Sequence, residues 1–260
     1  MSYKRSLLKI SLLLLLCGAA LFCVQSRDAQ AQFWEFPPPP KPYAFGNLLI
    51  DRISGEYDMK SVTFSHWSHR TKYTCRVCHF ELYFEMAVNT TEITEEDNKN
   101  GLYCGACHNG VDAFGHTEKN CDKCHNGDIS YGKEKFQEQL EKLPRAKFGN
   151  NIDWVKALSE GKIMPKYSIF RVDEKSLEFD SLLTLEAEWS FVPPAYFPHA
   201  EHVRWLDCSN CHPDIFNIKK KTTKHFLMKY ILEGKFCGVC HLNVAFPMRD
   251  CKRCHPKIRS

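Results

Sequence analysis

The sequence predicts a small, mostly irregular fold of short α-helices and few β-strands, laid out as two tandem modules joined by a partly helical connector. Three observations predict it. Twelve of the 14 cysteines fall into C-x-x-C pairs, each followed at once by a histidine. The order of those pairs repeats once along the chain. Each half also spends only about 65 residues on three such pairs, too few to build a conventional side-chain core.

The six motifs are Cys75-Arg-Val-Cys78-His79, Cys104-Gly-Ala-Cys107-His108, Cys121-Asp-Lys-Cys124-His125, Cys208-Ser-Asn-Cys211-His212, Cys237-Gly-Val-Cys240-His241 and Cys251-Lys-Arg-Cys254-His255. The spacing has a chemical reason. Two thiols three positions apart each add across one vinyl group of the same porphyrin, and the histidine after the second is held beneath the iron. The motifs therefore predict six covalently bound c-type haems, with both cysteines of each motif as thioether links and its histidine as the proximal iron ligand. A zinc ribbon needs cysteine pairs but no histidine after each. A thioredoxin-like dithiol would occur once, beside a β-α-β pattern, and a framework of independent disulfides does not explain the strict pairing. With the porphyrins as core and the peptide as wrapper, the fold is haem-cored.

The 12 histidines divide into six inside the motifs and six outside, His66, His69, His116, His199, His202 and His225. One spare histidine per haem predicts bis-histidine ligation. Four of the six occupy a repeated pattern, F-x-H-x-x-H, in Phe64-Ser-His66-Trp-Ser-His69 and Phe197-Pro-His199-Ala-Glu-His202. His116 and His225 do not occupy matching positions. For the third haem of each module Met228 or Met248 is a competing thioether ligand, although methionine is more often core filler.

The halves repeat at a nearly fixed step. Adding 133 takes His66 to His199, His69 to His202, Cys75 to Cys208, Gly101 to Gly234 and Cys104 to Cys237; Ala113-Phe114 reaches Ala245-Phe246 at 132 and Cys121 reaches Cys251 at 130. A small deletion therefore precedes the last motif. The predicted layout is a signal peptide over 1–31, a proline-rich segment over 32–59, a triheme module over 60–128, a connector over 129–189 and a second triheme module over 190–260.

F-x-H-x-x-H, then C-x-x-C-H, then G-x-x-C-G-x-C-H, then an Ala-Phe pair and a final C-x-x-C-H resembles the triheme cytochromes of the c-seven (class III) kind. The resemblance covers about half the chain, in two copies. It implies low-potential, closely packed haems with little regular structure around them. It also implies that His66 and His199 ligate the haems of His79 and His212, and that His69 and His202 ligate those of His108 and His241. His125 and His255 are left to find partners. The smaller members of the family carry a histidine between their first two motifs for this purpose. His225 fits that order, whereas His116 comes after the second motif.

Lys4, Arg5 and Lys9, the apolar run Leu7 to Val24 and Ala29-Gln30-Ala31 read as an export signal with its cleavage site. An uncleaved anchor or lipidation at Cys17 or Cys23 are the alternatives. The expectation is a chain exported to the periplasm or the cell surface that does not span the membrane. Four of the 35 basic residues and one of the 31 acidic ones lie in that leader, which leaves 31 and 30. That balance carries no footprint for nucleic acid. Six haems, each with about −1 from ferric core and propionates, move the net charge to roughly −5, which favours partners with a basic face.

In the connector, Phe136, Leu140 and Leu143 predict a short amphipathic helix stopped by Pro144. Asn151 is a candidate cap for a second helix through Trp154, Val155 and Leu158, with Gly161 just past its end. Tyr167 to Val172 and Leu182 to Val192 are candidate extended segments. The connector is expected to pack between the modules, with docking of a partner as the alternative. Pro37 to Pro40 predict an extended polyproline stretch.

The expected function is a carrier passing electrons between other redox proteins, such as periplasmic or outer-membrane cytochromes and reductases. It has no catalytic residue and is a monomer unless copies stack into a longer haem chain. The rival is a reductase of a small oxyanion that keeps one iron five-coordinate, at the third haem of either module.

Overall fold

The computed structural model describes residues 38–217 and 227–259. The expected signal peptide over 1–31 and the candidate ligand His225 lie outside these residues.

Each F-x-H-x-x-H segment folds in the same way. In the first module strand β1 (Asn47–Ile50) pairs antiparallel with β2 (Val62–Ser65), Leu48 opposite Phe64, and β2 runs straight into helix α1 (His66–Arg70). A π-helical turn (Val77–Glu81), α2 (Glu95–Lys99), a 3-10 turn (Tyr103–Ala106) and α3 (Cys121–Cys124) complete it. Helices α4 (Lys133–Leu140) and α5 (Trp154–Ser159) make up the connector. The second module repeats the opening: β3 (Leu182–Leu185) pairs with β4 (Ala195–Pro198), Leu183 opposite Phe197, and leads into α6 (His199–Val203). A 3-10 turn (Cys208–Asn210), α7 (Met228–Leu232), α8 (Gly238–His241) and α9 (Cys251–Cys254) follow.

Two short sheets and one-turn helices match the expected irregular fold. The first strand of the first sheet was not anticipated, whereas β3 falls within the expected extended segment Leu182 to Val192. β1 comes from the proline-rich segment and β3 from the connector, so each module takes a strand from the chain preceding it.

The repeat also explains a glycine in the second motif of each half. A Cβ built on Gly105 would lie 1.9 Å from the carbonyl oxygen of Asn98, and one on Gly238 equally close to that of Ile231. The turn that carries Cys104 or Cys237 is thus pressed directly against the preceding helix.

Pro40–Ser260 form one compact unit. Its hydrophobic core is assembled where the connector meets both modules: Phe136, Ile152, Trp154, Ala157 and Ile163 surround Trp67 from the first and Trp205 from the second. Trp67 meets Phe136 edge-on, with ring centres 5.2 Å apart. The Arg70 guanidinium lies over the rings of Trp154 and Trp205.

Both connector helices form where the periodicity predicts, with one correction. The cap of α5 is Asp153, whose carboxylate accepts from the Lys156 amide, and not Asn151, which sits in the left-handed region at φ 61°. Tyr167 to Val172 is not a strand. The Ser168 hydroxyl takes the amides of Phe170 and Arg171, and Glu81 takes that of Ile169, so side chains satisfy the donors a ladder would use. Only the Leu182–Leu185 part of the second candidate segment pairs.

Candidate functional site

A single helical turn brings the three working residues of each motif together, because positions i, i+3 and i+4 share a face. The histidine amide closes that turn on the carbonyl of the first cysteine, at 2.8 Å in His108, His125 and His255, 2.9 Å in His212 and 3.0 Å in His241. No disulfide joins any of the twelve described cysteines, so both sulfurs of each motif are available for thioether links. Burial, then neighbouring thiols, pushes Cys78 and Cys240 up to about 12. Cys104 and Cys237 rise to the same value through burial first and then Cys124 and Cys254 respectively.

Ten histidines share one arrangement that the sequence does not reveal: Nδ1 is held by a backbone carbonyl. The proximal set uses Phe84 for His79 (2.8 Å), Phe114 for His108 (3.0 Å), Lys60 for His125 (3.0 Å), Phe216 for His212 (2.6 Å), Phe246 for His241 (3.0 Å) and Pro193 for His255 (2.7 Å). The F-x-H-x-x-H set uses Gly46 for His66 (3.0 Å), Ser65 for His69 (2.9 Å), Ser181 for His199 (3.0 Å) and Pro198 for His202 (2.8 Å). A carbonyl only accepts, so Nδ1 must carry the proton, and Nε2 is left as a lone-pair donor. Burial acts in the same direction. It lowers His66 to about 3 and His69 and His241 to about 4, so these rings stay neutral.

Phenylalanine completes the seat. Phe64 stacks on His69 at 4.5 Å and meets His66 edge-on at 4.8 Å; Phe197 repeats this with His202 at 4.2 Å and His199 at 4.8 Å. The Ala-Phe pair has a double role, since Phe114 and Phe246 give both a carbonyl and a ring contact to His108 and His241.

The fold brings three of the four expected pairs together. Ring centres are 6.4 Å apart in His66–His79, 6.2 Å in His69–His108 and 6.3 Å in His202–His241. An imidazole nitrogen binds a first-row metal at about 2.0 Å and lies about 1.1 Å from its ring centre, so two rings sharing one iron stand roughly 6.3 Å apart. The spacing and the tautomers both fit a bis-histidine haem. His199 and His212 are not among the ring pairs, although both carry the carbonyl anchor.

His116 is placed differently. It is exposed, none of the described carbonyls anchors its ring, and it interacts electrostatically with Glu95 and His108. By the repeat, a step of 132 takes it to Met248, and Met228 matches Glu95 at 133. Met228 opens α7, and the Met248 carbonyl lies beside the Cys251 thiol.

No three His, Cys, Asp or Glu side chains converge on a bare-metal site among the described residues. None of the described helices is long and apolar enough to cross a membrane. A search of curated proteins finds no match. Among solved structures, the C-terminal hexaheme fragment of GSU1996 is similar at 26% identity, covering 85% of this chain and 99% of that one, with a TM-score of 0.27. The dodecaheme cytochrome c GSU1996 is similar at 22% identity, covering 77% of this chain and 72% of that one, with a TM-score of 0.28. The family model of cytochrome c7 and related cytochrome c matches twice, over residues 62–126 and 195–256, the two segments that carry the motifs and their F-x-H-x-x-H lead-ins. These two segments, which carry all six motifs, are therefore of the cytochrome c7 kind, a multihaem c-type family with covalently bound haem and an electron-transfer role.

Proposed function

We propose that this chain is a hexahaem, low-potential electron carrier, exported to the periplasm or cell surface, that passes electrons between other redox proteins. The observation that carries the reading is the common seat of ten histidines, each held by a carbonyl at Nδ1 with Nε2 left to donate. In this reading each haem supplies a one-electron ferric/ferrous couple. Cys75 and Cys78, Cys104 and Cys107, Cys121 and Cys124, and their counterparts Cys208 to Cys254, hold the six groups.

His66 with His79, His69 with His108, and His202 with His241 cap three irons on both sides. His199 with His212 caps a fourth, by analogy with the first module. Low potential follows from the same hydrogen bonds. A carbonyl on Nδ1–H makes the imidazole a stronger donor, and a stronger donor favours the ferric state. An iron with two protein ligands changes oxidation state with little rearrangement, which suits a carrier and leaves no position for substrate.

A second reading has one specific observation in its favour. His116 is exposed and unanchored, so among the described residues no seated second histidine is found for the His125 iron, and a reductase of a small oxyanion would need such an open position. Low-temperature electron paramagnetic resonance of the oxidised protein separates the two, with haem counted on the same sample by pyridine haemochrome. Six haems with low-spin signals only support the carrier. A high-spin signal of about one haem in six supports the open iron.

A further inference from the structure

Arg76 lies between the cysteines of the first motif and is 5% exposed. A buried guanidinium requires partners for its donors, and this one finds them in three parts of the chain. Nη1 meets Glu81 of its own module and the Tyr167 carbonyl of the connector at 3.1 Å. Nη2 reaches Glu174 of the connector at 3.5 Å. Nε reaches Asp207 at 3.4 Å, and Asp207 immediately precedes Cys208 of the fourth motif. The rings of Phe80 and Tyr167 lie 4.8 and 4.9 Å from the guanidinium carbon.

The fourth motif replies. The Arg76 amide donates to the Trp205 carbonyl at 2.9 Å, and Asn210, inside Cys208-Ser-Asn210-Cys211, donates its side-chain amide to the His79 carbonyl at 3.0 Å. Two haem-attachment turns from different modules are therefore bonded to each other reciprocally. Each turn fixes where its porphyrin hangs, so this contact sets the spacing of the first and fourth haems.

We propose that electrons cross between the modules at the contact of the Cys75–Cys78 and Cys208–Cys211 haems, and that Arg76 is the positioning residue of that crossing. The proposal rests on the haem-carrying reading above.

The test is proton NMR of the haem methyl groups in the full haem-loaded chain, followed through a stepwise reduction. In the wild type, fast exchange through the junction gives one averaged signal per methyl at each stage of reduction. In Arg76→Gln the exchange between the His79 and His212 haems slows and their methyl signals broaden at the intermediate stages, because the two attachment turns lose the contact that fixes their spacing. Exchange between the His79 and His108 haems, inside one module, stays fast. Arg76→Lys, which keeps the charge and loses the fork, falls between. Should Arg76→Gln fail to load haem, Asn210→Asp carries the test, since it keeps the acceptor to the Asp207 amide and sets a repelling carboxylate oxygen where the donor to His79 was. Unchanged exchange between modules in a fully loaded variant, whatever its melting temperature, overturns the proposal, as does slow exchange in the wild type. A wild-type haem count other than six overturns instead the hexahaem reading beneath it.

Discussion

The side-chain amide of Asn210, in the fourth motif, donates to the backbone carbonyl of His79, the histidine of the first, at 3.0 Å. Two residues 131 positions apart thus tie together the groups that would hold neighbouring haems. The contact shows how the modules are joined. They meet through their attachment turns, and the connector with Trp67 and Trp205 forms the wedge behind them.

His66→Ala removes the partner of His79 and leaves the attachment cysteines in place. The expected product still carries six haems by haemochrome. One of them gives a high-spin ferric signal and a higher potential, because a five-coordinate ferric iron has lost a strong donor.

His116→Ala leaves the low-spin spectrum unchanged, because the ring is exposed and has no carbonyl seat. Appearance of a new high-spin signal in this variant would instead assign His116 to the His125 iron.

Changing Cys251 and Cys254 together to serine removes the last attachment site of the second module. Mass spectrometry of the exported protein should find one haem fewer, and haemochrome a drop from six to five. An unchanged count would mean that this motif holds no haem.

Gly238→Ala drives a methyl group into the Ile231 carbonyl, where the Cβ position is only 1.9 Å from oxygen. Backbone cannot step aside as a side-chain tip does, so the cost should reach at least about 1–3 kcal/mol. A lower melting temperature checks it, and Gly105→Ala should behave alike.

Phe136→Ala tests the wedge. The ring is 1% exposed and packs on Trp67, and truncations of buried phenylalanine cost about 3–5 kcal/mol. The loss should appear in denaturant unfolding followed by tryptophan fluorescence, with the haem count unchanged.

The sequence reveals those parts of this molecule that need a particular side chain. Thioether attachment requires cysteine at fixed spacing and iron requires histidine, so twelve cysteines and ten histidines stand out at once. The helix over Lys133–Leu140 is equally legible, because burial of Phe136 and Leu140 imposes a period. The carbonyl seats are not legible. Gly46 and Ser181 hold equivalent histidines, as do Lys60 and Pro193, and these pairs share no side-chain chemistry. For the same reason β1 escaped notice, since its service is a backbone oxygen at the end of a strand. Ser168 misled in the opposite sense. Its hydroxyl captured amides that a β-rich stretch would have offered to a neighbour.

The carbonyl seats have a consequence for how such a chain can change. A ligand braced by main chain is indifferent to which amino acid supplies the oxygen, and even proline qualifies at Pro193, since it lacks only the amide hydrogen. Point substitutions at Gly46, Lys60, Ser181 or Pro193 therefore leave the grip on the imidazole intact wherever the local path of the chain survives. Small changes of length are absorbed as well: Gly46 lies 20 residues before His66 and Ser181 18 before His199, while Lys60 and His125 stand 65 apart and Pro193 and His255 62. The two halves can therefore drift in composition and in loop length together, so long as some main-chain oxygen still arrives at each imidazole.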